Sequence, residues 1–381
     1  MRVLVFNRFY LPGYKGGGPI KTLKNLFDEA QGQIKFKVIT LDRDLGDELP
    51  YEGVTGGNWY LQGSCSVLHV RPGFHAYFRI IKELISSSYD LVYVNSFFSP
   101  CFSFFPLVTA RILGQSVVVG PRGEFSEGAL SLKTFKKKIF IYIFKLLKIH
   151  RKTVFQASSD FEARDIRNAL GHDVDILVAE DIAAREFAER VTPRRSAALQ
   201  GVFVSRISPK KNLIRALEIL GNCRSPIKYD IYGPIEDSNY WGRCKKVIDG
   251  LPEHIEVVHK GELKPQEVVS VMSGYDFFLF PTKGENYGHV IAEALCAGLP
   301  IIIADTTPWR NLQSQGIGWE IPLSDSDKFS RVLDELAEMR AEEYLEMRSA
   351  IVAWAKRKFS QRGAIEANIA LFKYAYENKL G

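Results

Sequence analysis

Two glutamates, Glu285 and Glu293, stand eight positions apart in FFLFPTKGENYGHVIAEALCAGLPIIIAD (277–305), and two cations, Arg206 and Lys211, stand five apart in SRISPKKN (205–212). An ionised carboxylate only accepts hydrogen bonds and pairs well with vicinal hydroxyls. One glutamate could hold a sugar ring and the other a ribose. Two cations can neutralise a diphosphate without a metal, through charge-assisted bonds of roughly 1.5–3 kcal/mol each. Taken singly, each residue also fits a plainer role: a solvated surface cation, a helix cap, a solvated helix position. Their placement on the chain raises them above that.

Phe277-Phe278-Leu279-Phe280 has the length and composition of a buried strand, and Pro281 stops it. A polar loop, Thr282 to Tyr287, follows. Val290, Ile291, Ala294 and Leu295 then recur at helical spacing. Gly298 and Pro300 end that helix, and Ile301-Ile302-Ile303 reads as the next strand. This is one β–loop–α–β unit of a parallel sheet, in which ligands collect at the carboxyl ends of strands. Free N–H groups at the helix start, around Asn286 to His289, favour negative charge, and Gly288 lets backbone approach closely. Upstream, the strand Val202 to Val204 delivers Arg206 and Lys211 to a loop at the same end, before a helix from about Leu213. Tyr229 to Tyr232 is a further strand, ending in Gly233-Pro234. Ile255 to Val258 is another, followed by Gly261-Glu262-Leu263-Lys264 and a helix Pro265 to Met272.

The first half repeats the theme. Val3 to Phe6 is a strand, Tyr10 to Pro19 a loop with Gly13, Gly16, Gly17 and Gly18, and Ile20 to Ala30 a helix. A glycine-rich turn between first strand and first helix is a phosphate-approach signature. GxGxxG is absent, so a dinucleotide fingerprint is not supported, and a loop needing positive φ explains the glycines as well. Lys15 could add a charge there. Phe36 to Thr40, Ser66 to Val70 and Asp90 to Asn95 are strands, the last delivering Asn95-Ser96 to a carboxyl end. After Val117 to Val119, the turn Gly120-Pro121-Arg122-Gly123-Glu124 offers Arg122 and Glu124 either as ligand groups or as a surface ion pair worth little. His69 and His75 read as structural or exposed. Thr153 to Ala157, the capped helix Ser158 to Leu170 and the strand Val174 to Val178 complete this half. The charged stretch 179–196, with Pro193-Arg194-Arg195, reads as the linker.

A chain of 381 residues, 46% apolar and 25% charged, accommodates two domains with ordinary cores. The net charge of +6 is mild: it favours anionic partners such as nucleotides or membrane surfaces and does not suggest a dedicated nucleic-acid binder. The five cysteines are scattered, without CxxC or metal spacing, so a reduced, cytoplasmic setting and no metal are expected. Arg2 leads straight into a strand, so no signal peptide is expected. No apolar run reaches membrane-spanning length; the longest, Phe97 to Ala110, is broken by Pro100 and Pro106. Ser131 to Lys152 has eight Lys or Arg residues and no acidic ones. Phe135, Ile139, Tyr142 and Leu146 can share one helical face there, suited either to an anionic membrane or to the domain core.

With Arg206…Lys211, Gly233, Gly261, Glu285-x7-Glu293 and Gly298-Leu299-Pro300 in this order, the chain resembles the retaining GT-B glycosyltransferases of the family-4 type over nearly its whole length. NSFFSP (95–100) and PRGEFSEGAL (121–130), with the lysines after them, resemble the bacterial polysaccharide-assembly branch. The resemblance implies an α/β fold of two Rossmann-like domains, their parallel sheets facing across a cleft. It implies an acceptor-side domain over 1–190, a donor-binding domain over 197–361 and a C-terminal helix, about 362–381, crossing back to the first domain. By position, Arg206 and Lys211 hold the donor diphosphate, Glu293 the ribose and Glu285 the transferred sugar. Backbone at Asn286, Tyr287 and Gly288 touches sugar and phosphate. Gly233 and Leu263 belong with the donor-binding positions, Leu263 in a turn near the base, and Gly16, Gly17 and Gly18 close on the donor. Asn95, Arg122 and Glu124 are acceptor-side candidates. The chain departs from the family where many relatives carry a histidine, here Asn95-Ser96; where an asparagine–glycine is common, here Ala179-Glu180-Asp181; and at Ser205, where a glycine is usual before the arginine.

The implied activity is transfer of a sugar, with retention, from a nucleoside diphosphate sugar, UDP favoured, to a hydroxyl of a saccharide. The acceptor is expected to be lipid-linked at the inner face of the plasma membrane, in exopolysaccharide, capsule or O-antigen assembly, and no metal or other cofactor is expected. Sugar-nucleotide 2-epimerases share the architecture, and a non-catalytic nucleotide-sugar-binding subunit is a third option. The sequence offers no carboxylate constellation for the former, and its intact cation and glutamate pairs argue against the latter.

Overall fold

A computed structural model describes residues 1–54, 56–86, 88–130, 134–183, 185–189, 191 and 197–378. The chain divides into two compact units, Met1–Ile182 with Arg362–Gly381, and Ala183–Gln361. The division falls within the stretch 179–196 read as the linker, near its start. Ala179 and Ile182 are buried in the first unit's core, whereas Ala183 packs in the second unit's core and the Ala188 N–H donates to the Cys296 carbonyl. Pro193-Arg194-Arg195 lies outside the described residues.

The first unit is built on a sheet whose strands run, in spatial order, Trp59–Gln62, Cys65–Val70, Lys35–Leu41, Arg2–Phe6, Leu91–Val94, Val117–Val119, Val154–Ala157 and Asp175–Val178. The Trp59–Gln62 strand pairs antiparallel with its neighbour. The other pairings are parallel. Arg2–Phe6 and Leu91–Val94 lie side by side, and the chain winds outward from them in both directions. This is a topological switch point, where the loops leaving adjacent strands diverge and open a crevice. The central strands Arg2–Phe6, Leu91–Val94 and Val117–Val119 are buried on both faces apart from Arg2 and read as near-continuous apolar runs, as parallel sheets require. The final helix, Gly363–Glu377, belongs to this unit: Phe372 packs edge-on against Tyr93 and Phe36, and Asn368 accepts from Gln156 at 2.8 Å.

The second unit's sheet is parallel throughout, in the order Ile255–Gly261, Ile227–Tyr232, Leu199–Val204, Phe277–Phe280, Ile301–Ala304, Gly318–Ile321. Its switch point lies between Leu199–Val204 and Phe277–Phe280, whose carboxyl ends release the Arg206–Lys211 and Thr282–Glu285 loops. Close approach here demands glycine. A Cβ on Gly201 would sit 2.2 Å from the Phe277 ring, and one on Gly233, at φ 142°, 1.9 Å from the Ser205 carbonyl oxygen.

Candidate active site

At the second unit's switch point the Lys211 ammonium meets the Glu285 carboxylate at 2.6 Å, with both side chains largely buried. Thr282 Oγ1 donates to the same Glu285 oxygen at 3.2 Å, and the Phe280 ring lies 5.5 Å from the ammonium. The local sequence explains this. Pro281 ends the strand, and Asn212, at positive φ, turns the chain into the Leu213–Gly221 helix while its Nδ2 donates to the Pro281 carbonyl at 2.8 Å. That bond ties the two loops together. Gly288, at φ 82°, starts the His289–Cys296 helix; a Cβ there would press on Ile291 at 2.9 Å. Trp309 Nε1 donates to the Tyr287 carbonyl at 2.6 Å and fixes the loop from the far side. Asn286 Oδ1 is buried without a hydrogen-bond partner. An orphaned acceptor costs about 1–3 kcal/mol, and it stands in a loop whose other polar groups suit a hydroxyl-rich ligand.

At the first unit's switch point a cavity of about 350 Å³ opens over Asn7, Asn95, Arg122 and Glu124, with Gly16 and Pro19 on its wall. The Arg122 side chain is buried and bonds through all three guanidinium nitrogens. Nε donates to Asn95 Oδ1 at 2.6 Å, Nη1 pairs with Asp181, and Nη2 donates to Tyr93 Oη and to Gln156 Oε1, the last at 2.9 Å. Burial pushes the Tyr93 phenol up to about 12, so it stays protonated and donates onward to Gln156. Asn95 Nδ2 donates to Asn7 and to the Pro19 carbonyl. Glu124 accepts from Ser96 Oγ at 2.8 Å and from the Phe97 and Phe98 N–H groups at 2.7 and 2.8 Å.

Residues 185–357 match the family described as glycosyl transferases group 1. That span lies inside the second unit and includes Arg206, Lys211, Glu285 and Glu293. The phosphatidyl-myo-inositol mannosyltransferase of Mycobacterium leprae is 24% identical over 272 residues, covering 69% of this chain and 68% of that protein. An uncharacterized 41.2 kDa protein in the cps region of Klebsiella pneumoniae is 22% identical over 315 residues, covering 77% and 81%. The crystal structure of Anabaena HepE in complex with UDP and glucose superposes with a TM-score of 0.70 at 14% identity, covering 99% of this chain and 100% of that one. The chain is a glycosyltransferase of GT-B fold, and in sequence it resembles the family-4 type.

Among the transferase's residues singled out from sequence, Lys211 and Glu285 come into direct contact. Arg206 does not join them: its Nη1 reaches Glu236 Oε1 at 3.1 Å, and both side chains are more than a third exposed. The convergence of both cations on one spot is thus absent from the side-chain arrangement, because a nearer carboxylate captures the arginine. Glu293 is buried in the His289–Cys296 helix, and Tyr287 is buried against Trp309. The glycine at 233 is explained by the approach of Ser205. Leu263 packs half-buried against the second unit's core. A Cβ on Gly16 would press on Ile20 at 2.9 Å and Phe9 at 3.1 Å, Gly17 takes φ 72° ahead of the Gly18–Glu29 helix, and Asp44 holds the loop by accepting from the Tyr14 and Lys15 N–H groups.

Arg122 and Glu124 are not an ion pair with each other, and Arg122 is not at the surface. Arg122 is matched by Asp181, so one of the departures from the family pattern supplies its counter-charge. Of the two roles left open for the helical face in 131–152, burial in the domain core is excluded. The helix Thr134–Leu146 turns Phe140 and Phe144 to the core, while Phe135, Ile139, Tyr142 and Leu146 are exposed. Residues 131–133 lie outside the described residues. Sequence reasoning missed Arg8 and Phe9 at the cavity; their only signal is position, directly after the first strand.

Proposed function

We propose that this transferase moves a sugar, with retention and without a metal, from a UDP-sugar to a hydroxyl of a lipid-linked saccharide during bacterial surface-polysaccharide assembly. The observation carrying this reading is the Lys211–Glu285 contact at the carboxyl ends of two central parallel strands. An ammonium has three donors. One is held by Glu285, which leaves donors for a diphosphate. Arg206 supplies the second charge by leaving Glu236, a step of low cost because an exposed pair is worth about 0–1 kcal/mol. Glu285 accepts from hydroxyls of the transferred sugar, and Glu293 from the ribose.

As the bond to the anomeric carbon breaks, negative charge grows on the diphosphate. Lys211 and Arg206 stabilise it more than they stabilise the ground state, which is what lowers the barrier. The leaving diphosphate accepts the acceptor's proton on the face it vacates, so no protein nucleophile is needed. The cavity of the first unit takes the acceptor, with Asn95, Arg122 and Glu124 shaping its floor.

The reading of the acceptor as lipid-linked draws on the Thr134–Leu146 helix. Exposed Phe135, Ile139, Tyr142, Ile143 and Leu146 lie among exposed Lys136, Lys138 and Lys145, the composition of a helix that lies in an anionic bilayer interface. No helix among the described residues is long and apolar enough to cross a membrane. The mycobacterial relative is named for a lipid acceptor and the Klebsiella relative for a cps region, and both accord with this reading.

A thermal-shift panel of nucleoside diphosphates and their sugars tests the donor assignment. UDP should stabilise the protein more than ADP or GDP. No stabilisation by any of them would sink the reading, and a β-linked product from an α-linked donor would sink retention.

A further inference from the structure

The first unit's cavity carries three charged side chains, and two are committed. Arg122 is matched by buried Asp181 and three further acceptors, and both oxygens of Glu124 already accept from Ser96 and from two backbone N–H groups. Arg8 is different. Its guanidinium carbon lies 5.1 Å from the Phe9 ring centroid, and it forms no ion pair among the described residues. Its backbone carbonyl is what the fold uses, accepting from the Leu41 N–H and from Thr40 Oγ1. The exposed side chain is therefore not needed to shape the loop. Around it the wall is apolar, with Phe9, Phe98, Pro19 and Ile20.

An arginine at the rim of a concave, partly apolar site, with no carboxylate to neutralise it, is matched to a planar or tetrahedral oxyanion, which its fork of N–H donors can bind in two places at once. On the same wall Ser96 and Ser99 carry hydroxyls, and the rings and prolines suit the apolar face of a sugar. The cavity, about 350 Å³, is at the small end of the range for ligand sites, enough for one sugar ring with its substituent.

We infer that the acceptor is an acidic saccharide: a phosphate or carboxylate sits beside the accepting sugar, and Arg8 holds that anion at the mouth of the cavity. This rests on the reading of the chain as a transferase whose first unit takes the acceptor. Arg8 is a specificity-determining residue for the acceptor, separate from Lys211 and Arg206, which serve the donor.

Saturation-transfer NMR tests this, with saturating UDP present to occupy the donor site. The probes are glucose 1-phosphate, methyl β-glucuronide and, as the neutral control, methyl β-glucoside, each at millimolar concentration against the wild type and Arg8→Gln. At least one anionic probe should bind the wild type more tightly than the neutral one, and whichever binds identifies the anion as phosphate or carboxylate. Arg8→Gln should weaken that binding roughly tenfold to a hundredfold and leave the UDP thermal shift unchanged. Equal binding of neutral and anionic probes, no effect of Arg8→Gln, or no binding of either anion overturns the inference. Loss of the UDP shift in Arg8→Gln would assign the residue to the donor and overturn it too. A wild type that does not respond to UDP would instead remove the transferase reading beneath it.

Discussion

Replacing Lys211 by alanine isolates the positive charge on which the donor chemistry depends. The ammonium makes one bond to Glu285 at 2.6 Å and stands over the Phe280 ring, which leaves two of its three donors for a diphosphate. Each charge-assisted bond is worth roughly 1.5–3 kcal/mol. Losing a positioned donor to developing negative charge typically costs about 2.7–4 kcal/mol, or 10²–10³ in kcat. The expected loss in Lys211→Ala is therefore a hundredfold to a thousandfold in kcat. The fold should survive. The pair retains some solvent contact, and Thr282 Oγ1 still donates to the carboxylate left behind. The stability cost should stay near about 1–2 kcal/mol, below the 3–5 expected for breaking a fully buried pair. The assay is release of nucleoside diphosphate from a UDP-sugar, read beside the denaturation midpoint of the same variant. Turnover within tenfold of wild type in a folded Lys211→Ala protein would refute the reasoning. So would a variant that loses activity only in proportion to the fraction unfolded.

Arg122→Met should destabilise the first unit by about 3–5 kcal/mol, because Asp181 keeps a buried charge without its partner; Arg122→Met with Asp181→Asn should recover part of that in urea denaturation followed by circular dichroism. Gly233→Ala should cost several kcal/mol or abolish folding of the second unit, since its Cβ would stand 1.9 Å from the Ser205 carbonyl oxygen; a soluble variant with an unchanged denaturation midpoint would contradict the close approach. Lys136→Glu with Lys138→Glu should abolish flotation with anionic vesicles and leave the melting temperature unchanged, because both side chains are exposed. Lys137 is a poor choice for that test, as its ammonium donates to the Ala129 carbonyl and lies over the Phe98 ring.

Much of the fold was legible because its units are local. A run such as Phe277–Phe280, a loop and a periodic helix are written within a few tens of residues, and the helices begin and end at Gly, Pro, Ser and Asp positions that the backbone requires. The elements that escaped had weaker local signals. Trp59–Gln62 is a four-residue edge strand without buried positions. Pro100–Phe104 is a π-helical turn running into the Phe105–Ile112 helix, where Pro106 occupies the first turn and so breaks nothing. The role of the apolar face of the Thr134–Leu146 helix stayed open because aromatic residues stand on both sides of it, and only the Phe97, Phe98, Phe104 and Phe125 rings show which side is the core.

By itself the sequence determined that Arg206, Lys211, Glu285, Asn95, Arg122 and Glu124 each follow a strand's carboxyl end, since strand, loop and helix are set by neighbours along the chain. The tertiary structure decided the partners. Lys211 and Glu285 are 74 positions apart and Arg122 and Asp181 are 59 apart; they meet because parallel strands distant in sequence lie next to each other or one strand apart, and strand order is a property of the packed sheet. The same packing gave Arg206 to Glu236 and left Arg8 without a counter-charge among the described residues. A charge that the fold neutralises and one that it leaves for a ligand look alike until their neighbours are known.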